Sequence, residues 1–195
     1  MGADVTGVDF SEKAIKAGEE LARKMNTKNI EFICCDIYNL PNYLNKTFDI
    51  VYTSYGTIGW LPDIDKWARI VSRYLKFGGK FVFAEFHPFV WIFDYNFKKI
   101  KYSYFKSDAI IETESGTYAD KSASINIQSV SWNHSLSELL NSLITNNIEI
   151  KQIKEYDYSP YDCFNNTVKI EENKFMIKGL EKKIPLVYSV LGIKR

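Results

Sequence analysis

The sequence predicts an α/β fold in which a mostly parallel sheet is covered by helices. Apolar strand-like runs alternate with amphipathic helical runs as far as Pro88. The first two of those strand-like runs, Val5–Phe10 and Asn29–Asp36, each reach an acid at their carboxyl side, just where a helix or loop begins. The chain of 195 residues, 46% hydrophobic and 15% aromatic, is long enough for one domain with a sizeable core.

Each element has its own signature. After Asp9-Phe10, Ser11 can cap a helix reaching about Met25, with Ala14, Ile15, Gly18, Leu21, Ala22 and Met25 at spacings of three and four. Asn29–Asp36 is the second strand and Phe48–Ser54 the third, followed by a loop holding Gly56 and Gly59. Asp63–Leu75 reads as an amphipathic helix with Ile64, Trp67, Ile70, Val71, Tyr74 and Leu75 on one face. Gly78-Gly79 is expected to stop it in a left-handed turn. Lys80–Phe86 is the fourth strand.

From about Phe89 to Trp132 the texture becomes rich in Tyr, Phe, Ser and Lys, with alternating runs such as Ser124–Val130. This stretch, 89–132, reads as an insertion of antiparallel strands or loops within a single domain spanning 1–195. Ser135-Leu136-Ser137-Glu138 is a capping box opening a helix with Leu136, Leu139, Leu140, Leu143 and Ile144 as its stripe. Ile148–Tyr158 alternates as a strand, a polar stretch follows, and Pro185–Lys194 is the final strand.

Composition removes several classes of function. A net charge of +1, with acids and bases interleaved, leaves no basic footprint for nucleic acid or anionic membrane. No run approaches the roughly 18 apolar residues of a membrane span, and no charged-then-apolar leader is present. Cys34-Cys35 and the distant Cys163 form neither a disulfide framework nor a CxxC metal site, so buried reduced thiols, no metal and a cytoplasmic setting are expected.

Chemistry concentrates at the strand ends. Ligands of open parallel sheets bind beyond the carboxyl ends of the strands, and Asp9 and Asp36 fall there on consecutive strands. One carboxylate can accept both hydroxyls of a ribose; the next can take the exocyclic amine of an adenine. Either acid alone could equally be a plain cap.

The sequence resembles the class I S-adenosylmethionine-dependent methyltransferases over most of its length. Gly7-Val8-Asp9-Phe10-Ser11 is similar to that family's second-strand motif, and Ile33-Cys34-Cys35-Asp36-Ile37 to its third. Phe48–Ser54 resembles the fourth-strand motif, and Tyr74–Phe81 the more specific "LkpGG.l" signature. Glu85-Phe86-His87-Pro88 and the segment Trp132–Glu155 resemble the small-molecule branch. The resemblance implies S-adenosylmethionine as cofactor, held by Asp9, Phe10, Asp36, Ile37 and Ser54, and a small-molecule methyl acceptor. It also implies the strand order 3-2-1-4-5-7-6 with an antiparallel last strand, the run from Val5 being strand two and that from Pro185 strand seven.

One departure from the family is large. Strand one and its glycine-rich loop have no counterpart, and Met1–Asp4 reads as the tail of the preceding helix and turn. A net ladder bond is worth about 1 kcal/mol and a buried aliphatic side chain about 1.5–3 kcal/mol. Loss of a central strand therefore exceeds roughly 10 kcal/mol, against a typical net stability of about 5–15 kcal/mol. The natural protein is expected to extend upstream, the chain as it stands to be impaired, and the pairing between the runs from Val5 and Phe48 to be broken or shifted.

Methyl transfer from a sulfonium needs alignment and a dry cavity, and a base only if the acceptor arrives protonated. The first candidates for that base are His134 and His87, with Glu85 and Tyr55 behind them, and each histidine has a local packing alternative. Tyr95, Tyr102, Tyr104, Phe105 and Tyr118 could form a lid or the core of a small added sheet; Trp60 and Trp91 could line the rim, and Trp67 belongs to the core. Two other functions share these features: a nicotinamide-dependent oxidoreductase, and a degenerate fold that binds without catalysis.

Overall fold

The structure is a computed structural model in which residues 2–115 and 126–195 are described. Tyr118 and the start of the Ser124–Val130 run lie outside them. The chain divides into two compact units, Met1–Thr47 and Phe48–Arg195.

The first unit is built on strand β1 (Val5–Asp9), helix α1 (Glu12–Lys24), strand β2 (Ile30–Cys34) and a short 3-10 helix, Ile37–Asn42. The Ser11 side chain caps α1 by accepting the Ala14 N–H, as its position before the apolar stripe predicts. β1 and β2 run parallel, with Val5 opposite Ile30 and Asp9 opposite Cys34. Two glycines let helix and strand close on one ring. A Cβ at Gly7 or at Gly18 would come within 2.9 Å of Phe32, so both positions have to stay bare for α1 to seat.

The second unit holds a four-stranded sheet of β3 (Phe48–Ser54), β4 (Leu75–Phe86), β7 (Ile148–Tyr156) and β10 (Val187–Lys194), in the order β3-β4-β10-β7. β3 and β4 are parallel, and β10 is antiparallel to both its neighbours. Helix α2 (Ile64–Tyr74) lays its stripe on the sheet. Trp67, 2% exposed, meets Phe81 and Phe83, and Phe83 in turn meets Tyr188 edge-on. Helix α3 (Leu136–Thr145) begins at the Ser135 cap, whose side chain accepts the Glu138 N–H. The strands from Val5 and from Phe48 belong to different sheets.

Three details depart from the expected elements. Gly78-Gly79 does not stop α2, which ends at Tyr74 with Leu75 already extended; both glycines lie inside β4. Gly78 carries a φ of +76°, and a Cβ on Gly79 would lie 2.8 Å from the Lys76 carbonyl and 3.1 Å from that of Phe48. The pair serves a tight approach to β3 at the register shift between Phe48 and Ile50.

The polar stretch after β7 contains a hairpin, β8 (Thr167–Glu171) and β9 (Lys174–Ile177), turning through Asn173 at φ 57°. Its alternation is masked because β9 alone supplies the fully buried pair, Met176 and Ile177. The insertion contains the expected antiparallel pair, β5 (Ile110–Ser115) and β6 (Asn126–Ser131). Tyr102 reaches that pair, its hydroxyl donating to Glu112 in β5, and Tyr104 meets Phe105 edge-on. No helix among the described residues is long and apolar enough to cross a membrane.

Candidate functional site

In the first unit, parallel pairing brings the two strand-end acids to one rim. The Cys35 N–H donates to the Asp9 carbonyl at 3.0 Å, tying the two strand exits together. Asp9 accepts the Ser11 N–H on Oδ1 at 2.8 Å, and Asp36 accepts the Tyr38 N–H on Oδ1 at 2.7 Å. Both acids therefore cap, and each keeps Oδ2 without a hydrogen-bond partner among the described residues. Phe10 is 79% exposed and Ile37 half-buried beside them. Two outward carboxylate oxygens and an exposed ring are a donor-poor, acceptor-rich surface, fit for the hydroxyls of a ribose and the amine of an adenine. Cys34 is exposed, contrary to expectation, because β2 turns it outward, with Sγ 3.6 Å from the Phe10 carbonyl. Burial raises the pKa of its half-buried neighbour Cys35, and the charges of Asp36 and Cys34 add to the effect.

In the second unit the candidates are more heavily committed. Ser54 ends β3, and its carbonyl accepts the Thr57 hydroxyl at 2.7 Å. Tyr55 packs on Phe86 and Tyr161. Burial, then the neighbouring Tyr52, Tyr156 and Tyr158 and the charge of Glu85, push its pKa up, so Tyr55 is a hydrogen-bond donor and a poor base.

His87 is 5% exposed. Its Nδ1 accepts the Phe89 N–H at 3.1 Å, capping the short 3-10 helix Pro88–Ile92. Nε2 lies 2.9 Å from Glu155 Oε1, an ion-pair distance without hydrogen-bond alignment. Burial holds the imidazole pKa below its usual value against the pull of Glu155. With Nδ1 accepting and the ring kept neutral, the proton sits on Nε2 and no lone pair is free to remove another.

His134 is likewise enclosed. Its Nε2 donates to the Leu61 carbonyl at 2.8 Å, and Nδ1 faces Glu138 Oε1 at 3.1 Å. That bridge pins the start of α3 to the loop after the 3-10 turn Ile58–Trp60, which is the packing role rather than the basic one.

The residue that sequence reasoning undervalued is Glu85. It is 2% exposed near the end of β4, and both of its oxygens face backbone N–H groups of the loop after β3. The visible signal was an acid in a strand otherwise patterned for the core. An aromatic cluster lies close by in the chain's second unit: Phe164, from the segment after β7, meets Phe86, Trp91 and Phe97. Trp60 and Trp91 are both partly exposed. Among the described residues, no three His, Cys, Asp or Glu side chains gather as a metal site would require.

A sequence model of the methyltransferase domain matches residues 1–156. The chain belongs to that family. The two structural units carry the sheets β1-β2 and β3-β4-β10-β7, the latter with β10 antiparallel to both neighbours. A demethylmenaquinone methyltransferase of Staphylococcus haemolyticus is 37% identical over 82 residues, 42% of this chain and 33% of that protein. The sterol 4-C-methyltransferase strm-1 of Caenorhabditis elegans is 30% identical over 83 residues, 42% of this chain and 24% of that protein. The matched segments thus span a third or less of these curated relatives. Among solved structures, a SAM-dependent methyltransferase from Methanosarcina mazei superposes with a TM-score of 0.62 at 18% identity, covering 97% of this chain and 81% of that one. The fold is that of the S-adenosylmethionine-dependent methyltransferases, and nothing favours the oxidoreductase alternative.

Proposed function

We propose that the protein transfers a methyl group from S-adenosylmethionine to a small-molecule acceptor in a cytoplasmic setting. The observation that carries the reading is the rim of the first unit, where Asp9 ends β1, Asp36 follows the parallel β2 by two residues, and each presents an uncommitted oxygen. Family membership and the small-molecule names of the two relatives, demethylmenaquinone and sterol, support the class of acceptor.

When bound, S-adenosylmethionine supplies an electrophilic methyl on a sulfonium, whose departure needs no acid. Asp9 Oδ2 would accept the ribose hydroxyls, Phe10 would cover one face of the adenine, and Asp36 Oδ2 with Ile37 would meet its edge. In the second unit, Ser54 and the loop that follows it would serve the reacting end. The chain's own contribution is alignment and exclusion of water, because His87 and Glu85 have their acceptor positions occupied and His134 is held between the Leu61 carbonyl and Glu138. An acceptor that reaches the site already deprotonated or intrinsically nucleophilic suits such a site.

Calorimetric titration with S-adenosylhomocysteine tests this. The protein is expected to bind it, and Asp9→Ala to weaken binding at least tenfold, as loss of a charged hydrogen-bond acceptor worth about 1.5–3 kcal/mol requires. Unchanged affinity in Asp9→Ala overturns the ribose assignment. No binding by the wild-type protein favours the non-catalytic alternative.

A further inference from the structure

Glu85 is a carboxylate in a place the sheet reserves for apolar side chains. Its neighbours in β4, Phe83 and Phe86, are core residues, and its partner across the ladder is the buried Tyr188. What admits it is a full set of donors. Oε1 accepts the N–H of Gly56 and, at 2.8 Å, that of Phe86. Oε2 accepts the N–H of Thr57 at 2.7 Å and of Ile58 at 3.3 Å. Three of the four donors are successive residues of one loop, the segment that leaves β3 at Ser54 and enters the 3-10 turn at Ile58.

Successive backbone N–H groups converging on one point form a concave anion site. Here the anion is supplied by the protein itself. The loop depends on it for its backbone donors: the N–H groups of 56–58 find their partner in the carboxylate. Gly56 supplies the left-handed turn, at a φ of +74°, that lets them converge. Conversely, a carboxylate has about four lone-pair positions, and all are used, so Glu85 has none left with which to accept a substrate proton.

We propose that Glu85 is a positioning residue for methyl transfer, fixing through Gly56, Thr57 and Ile58 the path of the loop that presents Ser54 and Tyr55 to the reacting end of the cofactor. The inference rests on the proposed reading of that loop as the one facing the cofactor. Because Glu85 fills the concave site, the loop cannot offer the same N–H groups to an anionic part of a ligand. Its contribution to binding is shape.

The test uses the whole chain and S-adenosylhomocysteine as probe. Glu85→Gln keeps the side-chain volume but turns one acceptor oxygen into an NH2 that faces backbone donors. Amide hydrogen exchange at 56–58 is expected to accelerate at least tenfold while Val190 in β10 stays protected, and the dissociation constant is expected to rise at least tenfold. Glu85→Asp keeps the charge with a shorter reach and is expected to recover part of that affinity. Gly56→Ala, which leaves Glu85 intact but disfavours the left-handed φ, is expected to weaken binding in the same direction and serves if Glu85→Gln does not fold. Asp9→Ala is expected to lose affinity with exchange at 56–58 unchanged. Wild-type exchange in Glu85→Gln overturns the clamp, and faster exchange at wild-type affinity overturns its positioning role. Glu85→Asp no better than Glu85→Gln overturns the role of the charge. A wild-type protein that does not bind the probe overturns the cofactor reading and this inference together, an outcome distinct from all the others.

Discussion

The rim of the two-stranded unit and the strand ends of the four-stranded unit use polar groups in opposite ways. Asp9 and Asp36 sit at the surface, spend one oxygen on a local turn and leave the other facing outward. Glu85, His87 and His134 are buried, and the backbone or a neighbouring carboxylate occupies what they have to offer. The first arrangement can meet a ligand at no structural cost, since the outward oxygen exchanges water for a hydroxyl. The second can only shape what lies around it, since any new partner has to displace an old one in a desolvated place. Binding groups and building groups are thus told apart by unspent hydrogen-bonding capacity, not by residue type.

The comparison breaks most easily in the cores. Phe83→Ala, at the centre of the Trp67, Phe81 and Tyr188 cluster, is expected to cost about 3–5 kcal/mol, read by denaturant unfolding. Phe10→Ala on the exposed rim is expected to stay within about 0.5 kcal/mol while weakening S-adenosylhomocysteine binding. A large stability loss from Phe10→Ala would mean the rim builds as well as binds.

Next in size is His134→Ala, which strands the Leu61 carbonyl and Glu138. A loss of about 1–3 kcal/mol is expected, with S-adenosylhomocysteine affinity unchanged by titration. Lost affinity without lost stability would return His134 to the binding groups. Asp36→Ala removes a cap worth about 0.5–2 kcal/mol and also an outward oxygen, so both melting temperature and cofactor affinity should fall. If only the first falls, Asp36 is a cap and nothing more.

The smallest effect concerns an acid of the larger unit that is spent at the surface. Arg195 and Lys151 hydrogen-bond Glu149 and hold its pKa down at about 2, from an ordinary 4.5. A lowered carboxylate pKa contributes stability that is present above the ordinary value and lost as pH falls through about 2. Glu149→Gln should flatten that acid limb of the stability curve, and added salt should do so in part because the two cations are exposed. An acid limb unchanged by the substitution would show that the pair carries no weight in solution.

How much of this could be read from residues alone follows the range of the interactions. Local signals were legible: the Ser11 and Ser135 caps, the α2 stripe around Trp67, and the two strand-end acids are set within a few residues of themselves. Interactions set by distant partners were not. Gly79 looks like a helix stop until the Phe48 carbonyl comes within 3.1 Å of where its Cβ would be. His87 and His134 look like bases until a backbone N–H and a backbone carbonyl claim their nitrogens. Glu85 is written off as a lesser base because its partners are main-chain groups, which leave no trace in side-chain identity. The β8–β9 hairpin escaped for a different reason: Lys169, Glu171 and Lys174 dilute an alternation only a few residues long.

The order β3-β4-β10-β7 also has a consequence for the birth of the molecule. β4 and β7 never touch as partners; each is joined to β10, and β10 is the last of the four to be synthesised. Until it emerges, the finished β4 and β7 both wait with an open row of N–H and C=O groups, one of them beside the Phe81 and Phe83 rings. That interval is when a nascent chain is most exposed to mispairing with its neighbours on a polysome. Slow translation ahead of Val187 would lengthen it, and a holdase chaperone that covers apolar strand edges would be most useful during it.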